Sequence, residues 1–367
     1  MLDYTIVAKT RESSGFRWNR LASMLKKMRT CTWAPTVFAG PQVTGDNKRD
    51  SAFPGHEVLE LHVLPRIKKI EKLGLSHLLI AQRWWGSGKE MEGSSLDCLA
   101  MTAYLAAHTN RINLVTAIHP GFFEATAIAK WGATMEWLSG GRWSINVTSG
   151  WNLREFDMYG IDSLEHDQRY QRSSEFIDVL RGAWTQSPFN YHGEFYDCNG
   201  LQLEPPPSTS IEIFQGGQSE ASIQMAAAKS DWMFLNGGSL ERIESVIQKA
   251  RRATKSTGRN LRFALYAAPI CRDSDEEAWS VIEKRVDAID PDFAKNRRRA
   301  TSGAQGMWSS EEELSLLDSN EGYASRLIGS PETIMARIEA FQEIGVEMLH
   351  FDTSDEKFLR DVLPEIQ

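Results

Sequence analysis

The stretch Gly140-Gly141-Arg142-Trp143-Ser144-Ile145-Asn146-Val147-Thr148-Ser149-Gly150-Trp151 holds one complete structural unit. The helical pattern of residues 125–138 stops at two glycines, which take the left-handed backbone that closes a helix without steric cost. Residues 142–147 then read as a short strand whose last residues run into the polar loop 148–151. Helix, tight turn, buried strand and polar loop form the repeat of a parallel sheet with crossover helices, where chemistry gathers at the strand's carboxyl end.

Outward from this stretch the unit recurs. β-rich runs at 30–35, 75–81, 112–118, 211–214, 231–235, 262–271 and 346–351 alternate with helical patterns. The run 112–118, bounded by Pro120 and Gly121, is continuously apolar, as a strand buried on both faces must be. Leu59, Val63, Ile67 and Ile70 share one helical face ending at Gly74, and residues 95–108 are helical. The clearest helix follows Tyr170, Ser173, Ile177, Leu180 and Trp184 at spacings of three and four. Further helices are read at 240–253, 275–289 and 357–363. Ser330 as cap, Pro331 at the first turn and Gly345 past the end punctuate another. Residues 189–204 read as a hairpin insertion closed by Pro205, Pro206 and Pro207. Residues 290–327 show weak periodicity, and a loop of that length in a compact domain is functional or mobile, so a lid is expected there. Eight strands with their helices predict an α/β fold, a (β/α)8 TIM barrel with insertions. Alternation alone also permits an open doubly wound sheet.

Size and composition agree. The 367 residues exceed the ~250 of a barrel core, and 41% hydrophobic with 25% charged residues is the balance of a globular enzyme. A net charge of −8 gives no general attraction to nucleic acid. Cys31, Cys98, Cys198 and Cys271 lack metal-site or disulfide spacing, so reduced thiols and a cytoplasmic location are expected. No apolar run approaches the ~20 residues of a membrane span. Residues 1–29 carry seven Lys or Arg against Asp3 and Glu12. They are expected to form a flexible basic extension before the barrel domain at 30–367, with an organellar transit segment as the alternative.

Strand ends place Gln82 and Arg83, His119, Asn146 through Trp151, Gly216 through Ser219, Asn236, Tyr266 and Asp352 at one mouth. In Phe214-Gln215-Gly216-Gly217-Gln218-Ser219 two glycines admit close backbone approach and Ser219 can cap a helix whose dipole favours phosphate. Arg169 can pair with a phosphate or with a surface carboxylate. Asn146 offers an amide to a flavin or substrate edge, or caps its loop. Trp84, Trp85 and Trp151 suit an aromatic-lined pocket. His119, His166 and His350 are isolated, and only His119 sits at a strand end as a functional candidate. No metal site is expected, and no dinucleotide fingerprint, nucleophile elbow or P-loop occurs.

Three segments, 140–151, 164–170 and 212–219, together resemble the bacterial-luciferase-like superfamily in its two-component monooxygenase branch, and look most like dimethylsulfone monooxygenases. The likeness continues through residues 226–232, 236–237 and 327–331. It implies reduced FMN as cofactor, O2 and a small neutral organic substrate as reactants, a separate NAD(P)H-dependent flavin reductase, and a homo-oligomer. In sulfone members the reaction breaks a C–S bond to give an alkanesulfinate and an aldehyde. Carried over position by position, Asn146 and Glu155 fall at flavin-facing positions, Arg169 and Tyr170 at the phosphate pair, and Ser219 with Gly216, Gly217 and Gln218 at the phosphate loop. Gln82 and Arg83 fall on a loop that touches the flavin. Asn146, Tyr266 and His119 are the expected catalytic positions. Alkanesulfonate members carry Arg and His two apart on strand seven, where this chain has Tyr266 and Ala268, and a buried sulfonate without a cation is costly. A neutral substrate such as a sulfone is therefore expected, and because the sulfone enzymes have Asn where Tyr266 stands, a larger or different neutral compound is the alternative. Alternatives are a related FMN monooxygenase acting on an alkanesulfonate, a pyrimidine ring or another small compound, and a non-catalytic flavin binder.

Overall fold

The computed structural model describes residues 26–38, 55–85, 93–150, 152–301, 305 and 313–367. Eight parallel strands close a barrel: β1 (Arg29–Trp33), β2 (His77–Ile80), β3 (Asn113–Ile118), β4 (Trp143–Val147), β5 (Ile213–Gly216), β6 (Trp232–Leu235), β7 (Arg262–Tyr266) and β8 (Val346–His350). Each pairs with its neighbours in chain order, and β1 pairs with β8 to shut the ring. The doubly wound alternative is thereby excluded.

Strand alternation sorts the core into two. Cys31, Leu79, Val115, Phe214, Trp232, Phe234, Ala264 and Met348 fill the barrel. Their neighbours Leu78, Ile80, Leu114, Ile145, Ile213, Met233 and Leu265 face outward to the helices. The crossover helices include α1 (Leu64–Lys72), α2 (Cys98–His108), α3 (Ala125–Ser139), α4 (Leu153–Met158), α5 (His166–Thr185), α6 (Glu220–Lys229) and α7 (Leu240–Thr257). Side-chain caps from Asp97, Ser219, Ser239 and Ser330 begin helices, and Gly140 in the left-handed conformation ends α3.

Four expectations change. The first strand begins at Arg29, and Met28 donates its N–H to the Ile366 carbonyl, so the chain joins the barrel before residue 30. Residues 1–25 lie outside the described residues. The strand read at 262–271 divides, because the Ala268 N–H donates to the Gly322 carbonyl and draws the chain off the barrel. Ile270–Cys271 then pairs with Ile328–Gly329. The stretch 290–327 contains the helices Pro291–Thr301 and Glu313–Leu316 rather than loop alone, its pattern hidden by a run of basic residues. Helix α4 was not anticipated; six residues are too few for a periodic signal. No described helix is long and apolar enough to cross a membrane.

The amino end of the barrel is shut by one carboxylate. Glu212 takes hydrogen bonds from Arg262 at 2.7 Å, Arg29 at 3.4 Å and the Trp232 indole at 3.2 Å. Both guanidinium groups also lie over the Trp232 ring. Burial alone would raise the Glu212 pKa, but the hydrogen bond and charges of Arg262, with Arg29, hold it below the ordinary carboxylate range. A depressed carboxylate pKa stabilises the fold above the unfolded value and is lost as pH falls through the folded one. Glu212→Gln is expected to cost about 1–2 kcal/mol in urea unfolding at neutral pH. The difference should close below about pH 4; a gap independent of pH would refute the ion-pair account.

Candidate active site

At the carboxyl ends of β2 to β4 an aromatic wall rises. Trp84 stacks on Phe122 with ring centres 4.2 Å apart and an interplanar angle of 11°. Tyr159, on the turn after α4, meets Trp84 edge-on and donates its hydroxyl to the Trp84 carbonyl at 2.9 Å. Phe122 also packs on Phe156, whose ring lies 2.6 Å from where a β-carbon on Gly150 would stand. Behind the wall His119 accepts the Trp84 indole N–H at Nδ1, 3.0 Å away. Burial, with the charge of Arg83 adding, lowers the His119 pKa to about 3.

Near His119, Asn146 is the penultimate residue of β4, in register with Ala117. Its amide nitrogen donates to Thr148 at 3.3 Å, while its oxygen is sealed from solvent without a partner. Gln82 accepts the Cys98 N–H and donates to the Arg83 carbonyl, so its amide is occupied in holding its own loop. Arg83 bonds back to the Gln82 carbonyl and through its N–H to Ser95. Glu155 is buried on α4.

The turn from β5 into α6 forms a cradle. Gly217 has φ +126°, and a β-carbon there would meet the Ser222 hydroxyl at 2.6 Å and the Tyr170 hydroxyl at 2.8 Å. Gly216 has nothing within 4 Å of its would-be β-carbon, so that side of the strand end is open. Ser219 caps α6 by accepting the Ser222 N–H. Both polar atoms of the Gln218 amide are buried without partners. Tyr170 therefore reaches the cradle, while Arg169 donates its Nε to the Gly150 carbonyl at 3.1 Å and its Nη1 to the Leu164 carbonyl at 2.7 Å. It ties the β4 loop to α5.

Opposite the wall the mouth has an aromatic floor. His350 lies 4.6 Å from Trp33, 5.1 Å from Tyr266 and 5.6 Å from Phe234, centre to centre. Burial lowers the His350 pKa to about 3, and its Nε2 is sealed and unpartnered. The Asn236 amide nitrogen is likewise without a partner. Tyr266 is buried, and burial followed by the charges of Asp318 and Asp352 raises its pKa well above the usual phenol value. The insertion covers this side: Gly237 bonds to the Asn320 carbonyl, and Gly322 presses on the Tyr266 ring.

Of the expected residues, then, His119 and Asn146 stand at neighbouring strand ends, Gly216 through Ser219 form the cradle with Tyr170, and Tyr266 sits on the floor. Trp85 stands in the loop after β2 with Arg154 over its ring, and Trp151 lies outside the described residues. Sequence reasoning missed Trp33, Phe234, Ser222 and the place of His350 in the aromatic floor. The two-residue period of β1, β6 and β8 was the signal that puts three of these inside the barrel.

Residues 34–348 match the family model described as luciferase-like monooxygenase, and the chain belongs to that family. Within it, the chain is 36% identical over 310 residues to the FMNH2-dependent dimethylsulfone monooxygenase of Pseudomonas fluorescens (strain Pf0-1), spanning 81% of this chain and 84% of the relative. It is 34% identical over 360 residues to the enzyme of the same name from Pseudomonas putida, spanning 94% and 96%. The crystal structure of DmoA from Hyphomicrobium sulfonivorans shares the fold, with a TM-score of 0.74 at 18% identity, covering 93% of this chain and 88% of that one.

The two cradle glycines should respond differently. Gly217→Ala, strained in φ and crowded on two hydroxyls, is expected to lower stability by about 1–3 kcal/mol, whereas Gly216→Ala should stay within about 0.5 kcal/mol of the parent. Equal losses in denaturant melts would contradict the cradle geometry.

Proposed function

We propose that the chain is a two-component, reduced-FMN-dependent monooxygenase that uses O2 to cleave the C–S bond of a small neutral organosulfur compound such as dimethylsulfone. The products are an alkanesulfinate and an aldehyde, and a separate NAD(P)H-dependent reductase supplies the flavin. The two Pseudomonas relatives bear this cofactor and substrate in their names. The observation that carries the substrate class is the floor of the mouth, where Trp33, Phe234, Tyr266 and a neutral His350 stand and the carboxyl end of strand seven, at Tyr266 and Ala268, offers no cation.

The residues present fit FMN. The cradle combines the open face at Gly216, the hydroxyls of Tyr170, Ser219 and Ser222, and the N-terminus of α6, all suited to a phosphate. The unpartnered Asn146 oxygen and Gln218 amide are polar groups whose burial is costly until a ligand satisfies them. Bound there, reduced FMN supplies two electrons and the activation of O2. The chain's own residues do the rest. Tyr170 and Ser219 anchor the phosphate end, and Arg169 keeps the β4 loop in place through two carbonyls. The wall of Trp84, Phe122 and Tyr159 excludes water, and Asn146 accepts from a flavin N–H. Tyr266 and His350 are uncharged donors suited to sulfone oxygens. An anionic sulfonate would be desolvated among them without a counter-charge, which is the costlier burial.

Dimethylsulfone, methanesulfonate and uracil should be offered side by side to the enzyme with reduced FMN and O2. Methanesulfinate and formaldehyde from dimethylsulfone alone is the expected result, and turnover of either other compound in its place would sink the substrate reading. Tyr170→Phe and Gly216→Ala should each weaken FMN binding roughly tenfold with little change in Tm. Unaltered affinity in both would put the phosphate elsewhere.

A further inference from the structure

We propose that Trp84 is a positioning residue that fixes His119 in one tautomer, Nδ1 bare and Nε2 protonated, so that the ring offers the mouth a single neutral N–H donor. The inference rests on the reading of this mouth as the site of oxygen chemistry.

An indole N–H can only donate. Its approach to His119 Nδ1 at 3.0 Å therefore requires that nitrogen to be an acceptor, and the proton of the neutral ring then belongs to Nε2. An imidazolium would set two N–H groups head to head. Burial and the nearby Arg83 act in the same direction against the charged form. Nε2 has no hydrogen-bond partner among the described residues, so its proton is left for a ligand at the mouth. Strand alternation places it there: Val115, Ala117 and His119 follow one another on the inner face of β3 and its end, beside Asn146 in the β4 register.

The indole is itself held on every side. Phe122 stacks flat on it, Phe123 and Tyr159 meet it at 5.6 and 5.1 Å, and the Tyr159 hydroxyl bonds to its backbone carbonyl. Phe122 in turn donates its N–H to the His119 carbonyl at 3.1 Å, closing a tight turn between the two partners. Phe156 backs Phe122, and the buried Arg172 guanidinium lies over Phe156 at 5.6 Å while abutting Gly121. A wall that only excluded water would need aromatic area at Trp84 and no directed N–H. The directed bond makes the wall a template for the histidine: a donor of fixed position and no charge strengthens toward an oxygen atom that gains negative charge, without binding anions in the ground state.

The test compares the parent with Trp84→Phe, which keeps a stacking ring and removes the N–H. Nitrogen-15 NMR of selectively labelled histidine, read in flavin-free protein and assigned with His119→Gln, should show His119 with Nδ1 unprotonated and Nε2 protonated. In Trp84→Phe the signal should shift to a tautomer mixture or to the other tautomer. With reduced FMN and dimethylsulfone, kcat should fall roughly tenfold with FMN affinity unchanged. A protonated Nδ1 in the parent, an unaltered tautomer in the variant, or an altered tautomer with unaltered kcat would each overturn the proposal. The parent spectrum alone decides the first point even if the variant folds poorly. Failure of the parent to oxidise dimethylsulfone would instead count against the function proposed above, since the tautomer is read without substrate or flavin.

Discussion

Pairing of the first strand with the last is the contact on which the mouth depends. Arg29, Thr30 and Cys31 lie in register with Met348, Leu349 and His350, and this single seam closes eight strands into a ring. Closure removes both sheet edges and fixes the strand ends around one opening. It also carries Trp33 to within 4.6 Å of His350, residues more than three hundred positions apart, and so builds the floor from the two ends of the domain. At the opposite end Glu212 answers the charges of Arg29 on β1 and Arg262 on β7, so the seam is braced where no chemistry is expected. The carboxyl end, away from this brace, holds a group of buried polar atoms without partners.

That division explains the orphan groups. Buried donors and acceptors are ordinarily paired, and each unpaired one costs free energy comparable to a lost hydrogen bond. Here the Asn146 oxygen, the Gln218 amide, the Asn236 nitrogen and the His350 Nε2 all belong to strand ends or their first turns, on β4, β5, β6 and β8. A fold selected for stability alone would fill such positions with apolar side chains. Their recurrence around one opening is what a binding site requires, because a ligand with matching polar atoms recovers on binding what the empty fold forgoes.

The parts of this arrangement that were legible in the sequence are those encoded locally. Gly140 and Gly141 announced the end of α3, the spacing from Tyr170 to Trp184 announced α5, and Gly216 through Ser219 announced the cradle, since each signal lies within a few residues. Long-range contacts were not legible. At Arg169 the sequence left a phosphate and a surface carboxylate open as partners, because its neighbours gave no hint that the Gly150 and Leu164 carbonyls would take two of its donors. His350 looked isolated because its ring partners Trp33, Phe234 and Tyr266 come from three other strands. The strand read at 262–271 left the barrel after Ala267, whose N–H still donates to His350, because the Gly322 carbonyl of the insertion captured the Ala268 N–H, which no strand propensity reports.

A common thread joins the two histidines and the tyrosine of the mouth: each is driven toward its uncharged form. Burial lowers His119 and His350 to about 3 and raises Tyr266, so across the neutral range all three are dipoles rather than ions. For a neutral substrate this matters twice. A cation on the floor would favour sulfonate and other anions over a sulfone, whose oxygens carry only partial charge, so neutrality is a specificity device as well as a consequence of burial. A neutral donor also has the larger part of its interaction in reserve until negative charge develops on the atom it faces, which places its contribution in the transition state rather than the ground state. Such a donor works only if its proton stands on the right nitrogen. At His119 burial alone leaves that choice open; the Trp84 indole, held flat by Phe122 and anchored by Tyr159, makes it.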